Sequence, residues 1–247
     1  MKLLLMADHF VGLGISRWLI DQYREDIALI VTTSENEIYK KAKSAGIKSI
    51  VFHTVDGVKH YLETHDLIPD LGMLAWWPKL VKSPLIEFPR IGFINTHPSL
   101  LPYNRGKHYN FWALVEQAPF GVSLHFIERE IDTGDIVAQQ RISYDWEDTG
   151  GSLYAKATKA TINLFKETYP AIRQLSIQSR KQEKGKGSFH LAKELEPASR
   201  IELDKLYSAR NLLNLLRART FQGYPACWFE VDGQKFEVRV EIKRKNV

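Results

Sequence analysis

Apolar and polar positions along this chain follow two periods, one near two residues and one near 3.6, and they alternate in sequence. Residues 2–7 form an almost unbroken apolar run that reads as a short buried strand. Residues 11–23 follow with Leu13, Trp18, Leu19 and Tyr23 near helical spacing. The cycle then repeats. Residues 27–33 are apolar and β-branched, residues 35–45 are polar and helical with Gly46 as a stop, and residues 47–52 resume a strand. A helix over 56–64 and strands over 71–77 and 92–96 continue the alternation. Such alternation predicts an α/β fold, a Rossmann-like, mostly parallel sheet with flanking helices.

Residues 107–117 read as a helix, and 121–128 and 136–144 as strands. Residues 152–175 form a long helix with Leu153, Ala157, Ala160, Leu164 and Phe165 on one face. The stretch 178–197 is rich in Lys, Glu, Gly and Ser, has no apolar period, and reads as a linker. Beyond it a helix is predicted over 199–219, with Ser199 as N-cap and Glu202 completing a capping box. Two strands, 227–231 and 236–242, flank Asp232-Gly233, the signature of a type I′ hairpin, with Phe236, Val238, Val240 and Ile242 alternating with charged residues. The expected organisation is a domain over 1–180, a linker over 181–198, and a small C-terminal helix and β-hairpin over 199–247. That last piece has too little core to stand alone, so it must pack on the first domain or on a second subunit.

The 247-residue chain is 44% hydrophobic and 26% charged, an ordinary globular mixture. No apolar run approaches the roughly 20 residues of a membrane span, and the apolar start meets Asp8 and His9 too early for a signal peptide. These features, with the lone Cys227, predict a soluble cytoplasmic protein without disulfides. The net charge of +5 is concentrated in 180–187 and 235–247, which read as solvated surface rather than a nucleic-acid site. Gly12 and Gly14 are only a fragment of the dinucleotide-binding glycine pattern, so they are assigned to close helix packing.

The chemistry is concentrated in two places. The apolar strand over 92–96 leads into Asn95 and His97, two residues apart and therefore on one face of the sheet. The carboxyl ends of such strands are where open α/β sheets bind ligands. Asp132-Thr133-Gly134-Asp135 is a polar turn that can bring a carboxylate to the same rim. An amide donor, an imidazole and a carboxylate suit acyl transfer without a covalent nucleophile. There is no Gly-x-Ser-x-Gly elbow. His97, His108, His125, Asp132 and Asp135 are potential metal ligands, but they lack a metal-binding spacing, and no metal is expected.

The ordered set Asn95-Thr96-His97-Pro98-Ser99-Leu100-Leu101-Pro102, Arg105-Gly106 and Ile131-Asp132-Thr133-Gly134-Asp135-Ile136 resembles the folate-dependent formyltransferases. The short C-terminal helix and hairpin are most similar to the nucleotide-sugar N-formyltransferases of that family. A methionyl-tRNA formyltransferase is the second reading, though such enzymes carry a larger barrel. The resemblance implies transfer of formyl from N10-formyltetrahydrofolate to the amine of dTDP-4-amino-4,6-dideoxyglucose, a step in O-antigen or lipopolysaccharide assembly. It implies Asn95, His97 and Asp132 as catalytic residues, with His97 either base or oxyanion-stabilising cation. Trp76, Trp77, Glu128, Ile131 and Gly134 are implied to hold the folate, one tryptophan lining the pocket and the other lying in the core. Lys79, Asn104, Arg105, Gly106, Lys107 and Tyr109 are implied to meet the nucleotide sugar, with Arg217, Phe221 and Tyr224 as a C-terminal clamp. A homodimer is implied, without nucleic-acid or membrane partners.

Overall fold

The computed structural model describes residues 1–183 and 185–245; Lys184 of the basic linker and Asn246 and Val247 of the tail lie outside the described residues. In chain order the elements are β1 (Leu3–Ala7), α1 (His9–Gln22), β2 (Ile27–Thr32), α2 (Glu37–Ser44), β3 (Ser49–Val51), α3 (Val55–Thr64), β4 (Leu71–Ala75) and β5 (Phe93–His97). They continue with β6 (Arg105–Gly106), α4 (Tyr109–Val115), β7 (Gly121–Phe126), β8 (Ile136–Arg141) and α5 (Gly150–Arg173). The last are β9 (Phe189–His190), α6 (Leu195–Ala198), α7 (Ala209–Arg219), β10 (Cys227–Val231) and β11 (Gln234–Val238).

The seven-stranded sheet has the order β3-β2-β1-β4-β5-β7-β8. β1 pairs in parallel with both β2 and β4, and β4 with β5, whereas β7 runs antiparallel to β5. The order is the Rossmann-like one the alternating pattern predicts. β1 lies inside the sheet and all of its residues are buried, which is why it reads as continuous rather than alternating hydrophobicity. Asp8 caps α1, Asn36 caps α2 and Thr54 caps α3, each accepting a backbone N–H from the first turn. Gly12 allows α1 to lie close to the sheet: a Cβ there would come within 2.8 Å of the Ala75 carbonyl oxygen, so its role is packing.

Two compact units result. The first comprises Met1–His97, Ser123–Gln139 and Thr161–Lys181. Its core is built from Leu4, Met6, Leu29, Val31, Leu74 and Phe93 of the strands, with Val58 and Leu62 of α3. The second comprises Pro98–Val122, Gln140–Ala160 and Gln182–Val247. Within it β6 pairs in parallel with β9 and β10 pairs antiparallel with β11.

Three local expectations need correction. The C-terminal helix starts at Ala209 with Ser208 as its N-cap, not at Ser199. Ser199 instead donates its hydroxyl to the Leu195 carbonyl, and Glu202 pairs with Lys205 at 2.9 Å. The hairpin turn is as predicted, with Asp232 and Gly233 both at positive φ, but β11 ends at Val238 rather than 242. β4 ends at Ala75, and Trp76 adopts a left-handed conformation with φ 55°, so strand alternation does not decide how Trp76 and Trp77 face.

Candidate active site

Asn95 and His97 lie at the carboxyl end of β5. Between them Thr96 faces the other way, where its hydroxyl donates to the Leu74 carbonyl at 3.1 Å and accepts the Trp76 N–H at 3.0 Å. That pair of bonds ties the ends of β4 and β5 together and directs Asn95 and His97 to one side. The antiparallel neighbour β7 places His125 directly opposite Asn95, and Ser123 opposite His97. Cross-strand partners share a face, so His125 joins the same polar patch.

Asp132 arrives from the loop between β7 and β8. The loop is pressed onto the end of β7: Phe126 N–H donates to the Asp135 carbonyl at 2.9 Å, and a Cβ at Gly134 would collide with the Phe126 carbonyl oxygen. Asp132 itself takes a left-handed conformation, φ 56°, which aspartate tolerates better than most residues. Its carboxylate then spans two imidazoles, with Oδ2 3.4 Å from His97 Nδ1 and Oδ1 3.5 Å from His125 Nε2. Asn95 Nδ2 is 3.3 Å from His125 Nε2, and His125 Nδ1 lies 2.8 Å from the Phe126 carbonyl oxygen. His97 and His125 meet edge to face, with ring centroids 6.0 Å apart.

The three predicted catalytic side chains are thus brought together within the first unit, and a fourth, His125, is added to them. The sequence carried a signal for it: in β7 the polar positions Ser123 and His125 alternate with Val122, Leu124 and Phe126, mirroring β5. The donor atoms of His97, His125 and Asp132 lie within 4.8 Å of one another, a spacing that could hold a metal ion. An N–H of Asn95, rather than open space, meets the ring nitrogen His125 would offer such an ion.

Of the expected folate contacts, Trp76 sits at the tip of β4 beside Thr96, half-buried. Trp77 packs against the hydrophobic core and meets the Phe52 ring at 5.3 Å. Glu128 and Ile131 are exposed on the loop that carries Asp132, while Gly134 is buried beneath it. Lys79 is exposed, with its ammonium 4.8 Å from the Phe52 ring centroid.

The remaining expected contacts lie in the second unit. The N–H groups of Arg105 and Lys107 donate to the carbonyls of Ser188 and His190 at 3.0 and 2.9 Å, so these two backbone donors are committed to the β6–β9 pairing. Gly106 has φ 88°, and a Cβ there would strike the His190 carbonyl oxygen. Asn104 is buried and donates to Glu116 and Ser188. Tyr109 stacks near Phe120, with centroids 6.5 Å apart, and burial, then Tyr154, raises its phenol well above the ordinary value. Arg217 is 4% exposed. It donates to Asn214 Oδ1 at 2.9 Å and to the carbonyls of Asp145 and Asp148, and it lies against the Trp146 ring. Burial lowers its pKa. Phe221 packs on Tyr154 and on Gly151, whereas Tyr224 is exposed. Trp228 is half-buried, between Arg200 and Lys235.

An amide, two imidazoles and a carboxylate at the carboxyl ends of a Rossmann-like sheet define an acyl-transfer class of site, able to stabilise an oxyanion and to move a proton without a nucleophilic side chain. Residues 24–168 match the family model described as formyl transferase, and residues 194–244 match that of the N-formyltransferase dimerization C-terminal domain. A dTDP-4-amino-4,6-dideoxyglucose formyltransferase of Mycobacterium tuberculosis is 32% identical over 187 residues, 75% of this chain and 77% of that protein. The chain belongs to the formyl transferase family, and it is an enzyme of formyl transfer. Its fold is shared with a 4-N formyltransferase from Francisella tularensis, at a TM-score of 0.80 and 24% identity over 99% of this chain and 98% of that one. It is shared also with the N-formyltransferase from Helicobacter canadensis in complex with folinic acid and dTDP-3-aminofucose, at a TM-score of 0.74 and 18% identity, over 95% and 86% of the two chains.

Proposed function

We propose that this enzyme transfers the formyl group of N10-formyltetrahydrofolate to the amino group of a nucleotide-linked amino sugar, dTDP-4-amino-4,6-dideoxyglucose. The observation that carries the reading is the contact between the Asp132 carboxylate and His97 on the same sheet face as Asn95. The 32% identity with an enzyme of that activity supports this sugar, and the folinic acid and dTDP-amino sugar bound to the Helicobacter canadensis protein support the classes of donor and acceptor.

The neutral sugar amine attacks the formyl carbon, forming a C–N bond and turning the carbonyl oxygen into an oxyanion. Asn95 donates an N–H to that oxygen. Asp132 holds the His97 ring and stabilises its protonated form, and His97 mediates proton movement between the attacking amine and the departing folate nitrogen. Collapse restores the carbonyl, breaks the C–N10 bond and leaves tetrahydrofolate and the formamido sugar. The contacts of 3.4 and 3.5 Å around Asp132 are looser than ordinary hydrogen bonds, as suits a centre that tightens once substrate is bound.

Trp76 and the loop of Glu128, Ile131 and Gly134 are assigned to the pterin. The cations Arg105 and Lys107 are assigned to the diphosphate, and exposed Tyr224 to the nucleobase. The C-terminal hairpin is assigned to a homodimer contact: Phe236 and Val231 are exposed on it, and the region matches a dimerization domain. No helix among the described residues is long and apolar enough to cross a membrane. With its single buried thiol, the enzyme is assigned to the cytoplasm.

The test is incubation with N10-formyltetrahydrofolate and the dTDP-amino sugar, followed by mass spectrometry, with His97→Ala protein as control. A formyl-sized gain on the sugar with the wild type alone supports the reading. No gain rejects this sugar, and other amino sugars and methionyl-tRNA become the acceptors to try.

A further inference from the structure

We infer that His125 is a positioning residue that sets which way the Asn95 amide faces. This rests on the formyl-transfer reading of Asn95 and concerns a residue to which that reading gives no task. The chain of bonds starts at the backbone. The Phe126 carbonyl oxygen can only accept, so at 2.8 Å it requires a proton on His125 Nδ1. A neutral ring with its proton on Nδ1 has only a lone pair on Nε2. In that neutral ring Nε2 accepts, and of the two groups beside it the Asp132 carboxylate at 3.5 Å cannot donate whereas the NH2 of Asn95 at 3.3 Å can. The amide orientation follows from this sequence of donors and acceptors, because turning the amide round would set its oxygen against a lone pair.

The consequence for Asn95 is specific. One of its two N–H groups is held by His125, and the other is left to meet the formyl oxygen as it becomes an oxyanion. A second proton on His125 would reverse the arrangement. Its Nε2–H would face the Asn95 NH2 at 3.3 Å and the Asp132 carboxylate at 3.5 Å, drawing in the amide oxygen and turning the N–H groups away. His125 is 1% exposed and His97 stands at its edge, so solvent supplies no substitute for the missing acceptor. The tautomer is set by a main-chain carbonyl of β7, a rigid element, and the register of β7 against β5 puts the ring directly opposite Asn95.

The test has two arms. In the first, the 15N resonances of the histidine ring are recorded on the substrate-free enzyme at neutral pH, so that an incorrect choice of acceptor leaves the result untouched. A proton on Nδ1 and none on Nε2 of His125 is expected; a protonated Nε2 overturns the inference. In the second, kcat and KM are measured for His125→Phe, His125→Gln, Asn95→Ala and the His125→Phe/Asn95→Ala double variant, on whichever acceptor the wild type formylates. His125→Phe is expected to lower kcat about tenfold with KM for the formyl donor unchanged, a fraction of the effect of deleting an oxyanion donor. His125→Gln, whose carbonyl oxygen can accept from Asn95, is expected to recover part of the loss, and it also serves if the Phe variant does not fold. The same His125→Phe change on top of Asn95→Ala is expected to do nothing further. Additive losses, or a full kcat in His125→Phe, overturn the assignment.

Discussion

Among the described residues, a histidine-centred polar cluster in each compact unit can be set against the other, and the two differ in how closely their side chains meet. In the second unit His190 is saturated: Nε2 lies 2.7 Å from Glu116, Nδ1 lies 2.9 Å from Glu194, and the ring stacks on Trp112 at 3.8 Å. Glu116 also accepts from Ser188 at 2.7 Å and from Asn104 at 2.9 Å. In the first unit Asp132 lies 3.4 Å from His97 and 3.5 Å from His125, and Asn95 lies 3.3 Å from His125. Both clusters contain histidine, carboxylate and asparagine. The cluster with short contacts stitches β6 to β9, and the one whose side chains lie farther apart is the candidate site. Distance, rather than residue type, separates scaffold from site.

The largest effects that would test this contrast are catalytic. Asn95→Ala or His97→Ala is expected to lower kcat about 10²- to 10³-fold while the melting temperature stays near that of the wild type. Steady-state formyl transfer and a thermal melt measure the two. Asp132→Asn keeps the shape but removes the charge facing two imidazoles, and a loss of about 10²-fold in kcat is expected. The opposite pattern is expected for the filled cluster. Glu116→Ala removes one acceptor from each of Asn104, Ser188 and His190 and should destabilise the protein by about 1–3 kcal/mol, read from the urea midpoint, with kcat of the remaining folded enzyme intact.

A smaller effect is expected at Glu194. Its hydrogen bond from His190, then that from the Leu191 N–H, hold its carboxyl below the usual 4.5. A depressed folded-state pKa contributes stability that is present above the unfolded value and lost as pH falls through the folded one. Glu194→Gln should therefore melt lower than the wild type at neutral pH, and the gap should close as the pH is taken below about 4.5. Equal gaps at pH 7 and pH 3.5 would remove the charge from the account. The smallest effect is expected from chelation. Exhaustive treatment with a chelator should leave turnover unchanged; a loss restored by zinc would make the cluster of His97, His125 and Asp132 a metal centre and break the comparison at its root.

The fold was legible because its signals are local. The apolar runs of β1 and β2, the helix stop at Gly46 and the Asp232-Gly233 turn each restrict the backbone over a few residues, and those restrictions survive in the tertiary structure. Asn95 and His97 were legible as a pair for the same reason, since a period of two puts them on one face. The capping assignment failed because Ser199 had two uses open to it. Its hydroxyl turned back to the Leu195 carbonyl at the end of α6, and the capping role passed to Ser208. The strand expected over 71–77 is shorter, because β4 stops at Ala75 and Trp76 turns into a left-handed conformation.

His125 and the state of Arg217 belong to a different category. Which strand lies beside β5, and in which register, is decided by long-range pairing, and a shift of one residue would have pointed His125 away from Asn95. Arg217 reads as an available cation in the sequence, yet the packing of α7 buries it against Trp146 and two carbonyls. The amino-acid sequence by itself determined the Rossmann-like sheet, the helix stop at Gly46, the hairpin turn and the candidate residues Asn95, His97 and Asp132. Only the tertiary structure decided which polar side chains meet and at what distances. Backbone preference acts over a few residues, whereas hydrogen-bond saturation depends on groups brought from distant parts of the chain.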